Sequence, residues 1–165
     1  MTNKITILGF DPGFADTGFG IICSEDRKLQ YLTCGSIKTS ADKDFSDRLL
    51  EIYQEASELI AEYQPDLVVV EKLFFAKNTK TAIDVSQARG VLLLAIVEKG
   101  IKLLELTPLQ IKQAIASTGQ ASKKQVGLMV KNILRLSAVP QPDDAADALA
   151  SAIAGASFNT LLKKS

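Results

Sequence analysis

Four carboxylates lie at positions where secondary structure alone does not require an acid: Asp11, Glu71, Asp144 and Asp147. Asp11 and Glu71 each end an apolar run, while Asp144 and Asp147 are three residues apart in an alanine-rich segment. A helix over that segment puts the latter two on one face. Carboxylates are the ligands that Mg²⁺ and Mn²⁺ prefer, and such a set can hold two divalent cations. The pattern therefore predicts a metal-dependent hydrolase.

Each of these acids also has a structural explanation. Asp11 precedes a Pro-Gly pair and fits a turn, and Glu71 fits a strand end that points to water. Asp143 and Asp144 both fall in the first turn of the predicted helix, where the helix dipole favours acids. Because Asp147 can share a face with either of them, spacing alone leaves the choice between Asp143 and Asp144 open.

The amino-acid composition limits the kinds of active site that the chain can form. The length of 165 residues predicts one domain over residues 1–165, and 47% hydrophobic with 23% charged residues is typical of a soluble globule. The chain contains no histidine, which excludes a Ser-His-Asp triad, a histidine general base and a His-containing zinc site. Cys23 and Cys34 lie in strand-like stretches, match no metal motif and are interpreted as buried free thiols.

The charge pattern permits a nucleic-acid surface on a neutral protein. Nineteen basic and 19 acidic residues give a net charge of zero, whereas nucleic-acid-binding proteins often have a basic excess. Many cations fall between the second and third acidic positions, namely Lys72, Lys77, Lys80, Arg89, Lys112, Lys123, Lys124, Lys131 and Arg135. No apolar segment is long enough to span a membrane and no signal-peptide pattern is present, so we expect a cytoplasmic protein without a membrane partner.

Hydrophobic periodicity and turn residues predict the order β-β-β-α-β-α-β-α-α-α. The strands are predicted at 5–10, 18–24, 29–37, 67–71 and 101–106, and the helices at 45–63, 81–99, 107–119, 122–136 and 143–158. The economical packing is α/β, a mixed five-stranded sheet flanked by helices. If the first and fourth strands are neighbours, Asp11 and Glu71 meet at one sheet edge, where open α/β sheets bind ligands.

Five sequence blocks occur in order along the chain. They are Ile7-Leu8-Gly9-Phe10-Asp11-Pro12-Gly13, Thr17-Gly18-Phe19-Gly20, Val70-Glu71-Lys72-Leu73-Phe74-Phe75-Ala76-Lys77-Asn78, Gln87-Ala88-Arg89-Gly90 and Asp144-Ala145-Ala146-Asp147-Ala148-Leu149-Ala150. Together these blocks resemble the RuvC-type Holliday-junction resolvases. The resemblance implies a ribonuclease-H-like fold, a homodimer and Mg²⁺-dependent symmetrical nicking of two opposing strands of four-way junction DNA, giving 5′-phosphate and 3′-hydroxyl ends. It also selects Asp144 over Asp143 as the third catalytic acid.

The same resemblance leads to expectations for cofactors and partners. Two Mg²⁺ ions are expected in each active site, with Mn²⁺ as an alternative. Asp11 would bridge them, Glu71 and Asp144 would each help to hold one, and Asp147 would complete the second site. The expected macromolecular partners are four-way junction DNA and a branch-migration complex of RuvA and RuvB, at the bacterial nucleoid.

Further residues are expected at the DNA: Phe74, Lys77, Arg89, Lys112, Lys123 and Lys124. Phe74 matches an aromatic that stacks on bases near the opened crossover, although a core phenylalanine is the alternative. Lys124 is an alternative to Lys123 beside the active site. Arg89 is either a contact to the DNA backbone or a member of an ion pair.

Three other functions are compatible with parts of the sequence. A ribonuclease-H-fold nuclease acting on other nucleic acids needs the same acids. A phosphotransferase of the actin and sugar-kinase type also has an Asp-x-Gly turn after its first strand, but it needs a second phosphate loop and a larger second domain. A non-catalytic junction-binding module would not need the complete acid set. The helix over 81–99 is expected in the dimer interface.

Overall fold

The computed structural model describes residues 4–74 and 79–162, which form one mixed sheet with helices on both faces. The strands are β1 (Ile5–Asp11), β2 (Asp16–Glu25), β3 (Lys28–Lys38), β4 (Leu67–Glu71) and β5 (Lys102–Leu106). The helices are α1 (Phe45–Tyr63), α2 (Thr79–Glu98), α3 (Pro108–Ala116), α4 (Lys123–Ile133) and α5 (Asp143–Leu162). Their order and the five-stranded α/β class confirm the predictions from the sequence.

The sheet has the strand order β3-β2-β1-β4-β5. The first three strands form an antiparallel meander, while β4 runs parallel to both β1 and β5. Phe10 pairs with Val70 in the β1–β4 ladder, so Asp11 and Glu71 end adjacent parallel strands at the same edge. The condition on which the predicted site depended is therefore met.

The central strands are apolar on both faces because a separate core lies against each face. Ile7 and Val69 pack with α3, α4 and α5, while Leu8 and Val68 pack with α1 and α2. Neighbouring residues of a strand point to opposite sides of a sheet, so a run without alternation requires cover on both sides.

Helix α5 lies directly on β1 and β2 because glycines leave room for its backbone. A Cβ at Gly9 would stand 2.1 Å from the Ala148 carbonyl oxygen, and one at Gly18 would stand 2.0 Å from the Asp144 carbonyl oxygen. Contacts shorter than van der Waals distance cannot be accommodated without moving one backbone. These glycines and the small residues of α5 set the distance between the helix that holds Asp144 and the strand that holds Asp11.

Helix starts follow the sequence signals more closely than helix ends. Thr107 and Ser122 each form the N-terminal half of a capping box, with Gln110 and Gln125 respectively. Helix α3 ends at Ala116, earlier than the predicted 119, because Ser117 adopts a left-handed conformation. An αL residue satisfies an orphan carbonyl and stops the helix, and here it is not a glycine.

The two cysteines are unpaired, as expected. Cys23 is buried, but Cys34 is only half-buried and accepts a 3.5 Å hydrogen bond from the Tyr31 hydroxyl. The prediction of two buried thiols is thus wrong for Cys34, because β3 is the edge strand and much of it faces solvent. Within residues 4–74 and 79–162, no helix combines the length and apolar content required to cross a bilayer.

Candidate active site

Three carboxylates meet at the sheet edge where β1 ends. Asp11, Asp144 and Asp147 each place one oxygen within 4.8 Å of the others. All three are half-buried, whereas Asp143 is exposed and is not part of the cluster. Packing of α5 on Gly18 directs Asp144 inward and Asp143 outward. The geometry therefore makes the choice that helix spacing left open.

Glu71 joins the cluster through Asp11. The two carboxyl groups share a hydrogen bond, which their positions at the ends of adjacent parallel strands make possible. Burial raises the pKa of both, and repulsion from Glu71, Asp147 and Asp144 contributes further at Asp11, whose pKa rises to about 8. Near neutral pH, without a bound cation, Asp11 thus keeps a proton that it donates to Glu71.

A divalent cation fits this donor set. The cluster consists of carboxylate oxygens alone, the ligand type of Mg²⁺ and Mn²⁺. Burial, and after it repulsion from the neighbouring acids, raises the pKa of Asp11, and a cation would relieve that repulsion.

Lys123 places a positive charge beside the helical pair of acids. Its ammonium lies 2.9 Å from Asp147 and 4.0 Å from Asp144, and hydrogen bonding to Asp147 raises its pKa. The Ser122 capping box starts α4 at Lys123 and so fixes the backbone position from which the Lys123 side chain extends. Of the two candidate lysines, Lys123 and not Lys124 contacts the carboxylates.

Two clefts adjoin the acids. One, of about 240 Å³, is lined by Glu71, Asp147, Lys112 and Lys123 above an apolar floor from α3, α4 and α5. The other, of about 300 Å³, contains Lys123 and Lys124 beside Asp143 and Asp147. Lys112, Lys123 and Lys124 therefore extend from the carboxylates as one basic surface.

Arg89 binds protein groups instead of facing outward. Its Nε donates to the Glu71 carbonyl oxygen at 3.1 Å, and its guanidinium forms an ion pair with Glu105. Only 16% of its side chain is exposed. Of the two alternatives left by the sequence, the structure contains the ion pair, and that pair ties α2 to the ends of β4 and β5.

Two expected DNA residues follow β4. Phe74 is 70% exposed, which contradicts the alternative of a core phenylalanine. Lys77 lies outside the described residues.

A fifth acid was missed by the sequence interpretation. Asp16 begins β2, and its charge contributes, after burial, to raising the pKa of Asp144. Its Oδ1 is buried and makes no hydrogen bond within the described part of the chain. The available signal was its position two residues before Gly18, on which the Asp144 backbone rests.

Comparison with known proteins identifies the family. The sequence model described as crossover junction endodeoxyribonuclease RuvC matches residues 7–155. The chain belongs to the RuvC family. The RuvC protein of Natranaerobius thermophilus is 53% identical over 144 residues, which are 87% of this chain and 89% of that protein.

Solved RuvC structures have the same fold. The Thermus thermophilus RuvC structure superposes with a TM-score of 0.88 at 34% identity and covers 95% of this chain and 96% of that one. T. thermophilus RuvC in complex with a Holliday junction substrate gives a TM-score of 0.87 at 32% identity, with coverage of 95% and 96%. The ribonuclease-H-like fold class implied by the sequence blocks is confirmed.

Proposed function

We propose that this protein resolves four-way DNA junctions by metal-dependent hydrolysis of two opposing strands. The observation that carries the proposal is the cluster of Asp11, Asp144 and Asp147, with Glu71 hydrogen-bonded to Asp11. Membership of the crossover junction endodeoxyribonuclease family supports the reaction class. Each cut is an in-line hydrolysis that leaves a 5′-phosphate and a 3′-hydroxyl.

The four acids would hold two Mg²⁺ ions, with Asp11 between them, Glu71 and Asp144 on one ion each and Asp147 completing the second site. Bound there, the ions supply an activated water and charge stabilisation for the leaving oxygen. Asp11 must lose its proton when the site is loaded, because its pKa of about 8 describes the metal-free state. Lys123, 2.9 Å from Asp147, would add positive charge where the scissile phosphate would lie.

The DNA surface extends from the two basic clefts. Lys112, Lys123 and Lys124 would contact backbone phosphates. Lys77, which lies outside the described residues, is proposed as a further DNA contact on the family resemblance alone. Phe74 would stack on an unpaired base, since an exposed aromatic ring beside an active site offers a face to any base. Arg89 would contribute through Glu71, whose carbonyl oxygen it binds, and not by reaching the DNA.

Symmetrical nicking requires two active sites, and α2 is the element suited to pair two copies. Ile83, Leu94 and Val97 are 57%, 61% and 62% exposed, and they fall on one helical face with Gly90. A Cβ at Gly90 would contact none of the described residues within 4 Å, so they leave this face of α2 uncovered. We therefore include a homodimer that forms through α2 in the proposal. A second expected partner is a branch-migration complex that acts on the same junction at the nucleoid.

The decisive experiment compares a synthetic four-way junction with a linear duplex of the same sequence, each with Mg²⁺ and with EDTA. We expect paired symmetrical nicks in the junction only, and none with EDTA. Asp11→Asn should bind the junction without cutting it, while Asp26→Asn, which changes an exposed acid in the β2–β3 turn at the opposite end of the sheet, should cut normally. Equal cutting of the linear duplex would contradict the proposal and favour a nuclease of broader substrate range.

Phe74 has its own test in the same assay. Phe74→Ala should weaken junction cutting by roughly tenfold, because a base–aromatic stack is worth about 1–3 kcal/mol. Mn²⁺ affinity should not change, since the ring is not among the carboxylates. Cutting at the wild-type rate would remove Phe74 from the DNA surface.

A further inference from the structure

The turn that follows β1 contacts an arginine that has no role in the function proposed above. Arg48, in the first turn of α1, lies with its Cζ 3.9 Å from the centre of the Phe14 ring. That ring also stacks on Phe45, with ring centres 4.5 Å apart. Phe14 belongs to the turn that connects Asp11 to β2. The aromatic pair thus holds a guanidinium in a fixed place close in sequence to an active-site acid.

Buried Thr39 fixes the same guanidinium from a second direction. The Arg48 Nε donates to the Thr39 Oγ1 at 3.0 Å, and that hydroxyl donates to the Phe14 carbonyl oxygen at 2.7 Å. The Thr39 N–H donates to the Ala15 carbonyl oxygen at 3.0 Å. Two contacts therefore restrict the rotation of a side chain that is usually mobile, which lowers the entropy cost of binding through it.

In the part of the chain that the structure describes, the charge of Arg48 has no carboxylate partner. Among residues 4–74 and 79–162, its only side-chain hydrogen bond is the one to Thr39, and no acidic oxygen lies within 4.0 Å of it. Acids are near in sequence, at Asp44 and Asp47, but they form no ion pair with it. A half-buried, oriented guanidinium with free N–H groups is suited to a planar, bidentate contact with an anion.

The position of Arg48 in the fold indicates which anion it would bind. In the ladders Asp11 pairs with Gly18 and Asp16 pairs with Lys38, so the end of β3 lies at the same sheet edge as the carboxylates. The basic clefts adjoin the cluster from the side of α3 and α4. A DNA strand that crosses the active site carries backbone phosphates on both sides of the scissile one, and an arginine or lysine beside such a phosphate neutralises it.

On these grounds we propose that Arg48 binds a DNA backbone phosphate next to the scissile one, on the β3 side of the active site. Arg48 and the lysines of the basic clefts would hold the strand from opposite sides of the carboxylates. This inference depends on the proposed function, because it takes the ligand to be the DNA that the active site cuts.

The test measures junction binding in EDTA at several salt concentrations between about 50 and 200 mM. The variants are Arg48→Gln and Arg48→Lys, and the matched control is Lys28→Gln, which removes one exposed charge at the opposite end of the sheet. Arg48→Gln should bind about tenfold more weakly, with the slope of log affinity against log salt reduced by about 0.9 for each phosphate that is no longer neutralised. Arg48→Lys should lie between wild type and Arg48→Gln, and Lys28→Gln should match wild type.

Other outcomes separate the alternatives. Failure of the wild-type protein to bind or cut the junction would overturn the proposed function itself. Normal wild-type binding with an unchanged salt slope in Arg48→Gln would overturn the phosphate role of Arg48 alone. Loss of Mn²⁺ affinity or melting temperature in Arg48→Gln, with the slope unchanged, would also overturn it and leave Arg48 as a brace for the turn.

Discussion

At the scale of single residues, the site combines acids that repel one another with a lysine that partly compensates them. Asp11 is held protonated by burial and by its neighbours. Lys123 neutralises Asp147 at 2.9 Å. The metal-free site is therefore a strained arrangement of charge within a well-packed protein, which is common where a cation is to be bound.

The strain at Asp11 leads to a prediction about stability and pH. Because its pKa is raised from 3.8 to about 8, the folded state keeps a proton that the unfolded state releases between these values. In EDTA the free energy of unfolding must fall as pH rises through this window. Asp11→Asn should therefore melt several degrees above wild type at pH above 8, and the gap should narrow towards pH 5.

Thermal melting from about pH 5 to 9 provides the measurement, with Asp143→Asn as the control for loss of one acid. Mg²⁺ should raise the melting temperature of wild type but not that of Asp11→Asn. A wild-type melting temperature that rises with pH in EDTA would contradict the assignment.

The ion pair of Lys123 predicts competition with metal. Lys123→Gln removes a cation from two carboxylates that would also hold Mn²⁺, so DNA-free protein should bind Mn²⁺ more tightly. A partly exposed pair contributes at most about 1 kcal/mol, which limits the gain to roughly fivefold. Calorimetric titration would measure it, and Lys124→Gln, which touches no carboxylate among the described residues, should not change. Weaker Mn²⁺ binding in Lys123→Gln would mean that Lys123 supports the metal site more than it competes with Mn²⁺ for the carboxylates.

At the scale of elements, the site depends on how closely α5 approaches the sheet. Gly9 and Gly18 allow direct contact of the helix backbone with β1 and β2. A small shift of α5 would separate Asp144 and Asp147 from Asp11. The glycines in the first two sequence blocks thus act on the active site through packing.

Gly18→Ala tests this dependence. Its Cβ would stand 2.0 Å from the Asp144 carbonyl oxygen, so α5 must move, at a cost of about 1–3 kcal/mol or more. We expect a melting temperature lowered by several degrees and weaker Mn²⁺ binding. Gly119→Ala is the matched control, because its Cβ would clash with the end of the Leu109 side chain, which can rotate away, and would meet Gln113 Cγ at an ordinary 3.7 Å. Normal metal binding in a folded Gly18→Ala protein would show that the distance between α5 and the sheet is not critical for the site.

At the scale of the whole molecule, the prediction concerns assembly. The exposed apolar face of α2 would be covered by a second copy, and Leu94→Glu places a charge in that face. We expect sedimentation of a dimer for wild type and of a monomer for Leu94→Glu, with nicks in the junction no longer paired. Leu50→Glu changes a comparably exposed leucine on α1 and should remain dimeric. A wild-type monomer that still nicks symmetrically would exclude α2 as the necessary interface.

Much of the fold follows from local signals in the sequence. The apolar run of β4 and the capping boxes at Thr107 and Ser122 each indicate their element from residue type and spacing alone. Helix ends were less predictable, because Ser117 stops α3 with a conformation that its residue type does not favour. The exposure of Cys34 was also missed, since only the strand order makes β3 an edge.

For the site, the sequence determined the chemistry: carboxylates without histidine, at strand ends and on one helix face. Tertiary structure decided which of them meet. It brought Asp11, Asp144 and Asp147 within 4.8 Å, excluded Asp143, turned Arg89 towards Glu71 and placed Asp16 near Asp144. Residue types and local periodicity are properties of short segments, whereas the register of parallel strands and the seating of α5 on Gly18 depend on contacts between distant parts of the chain.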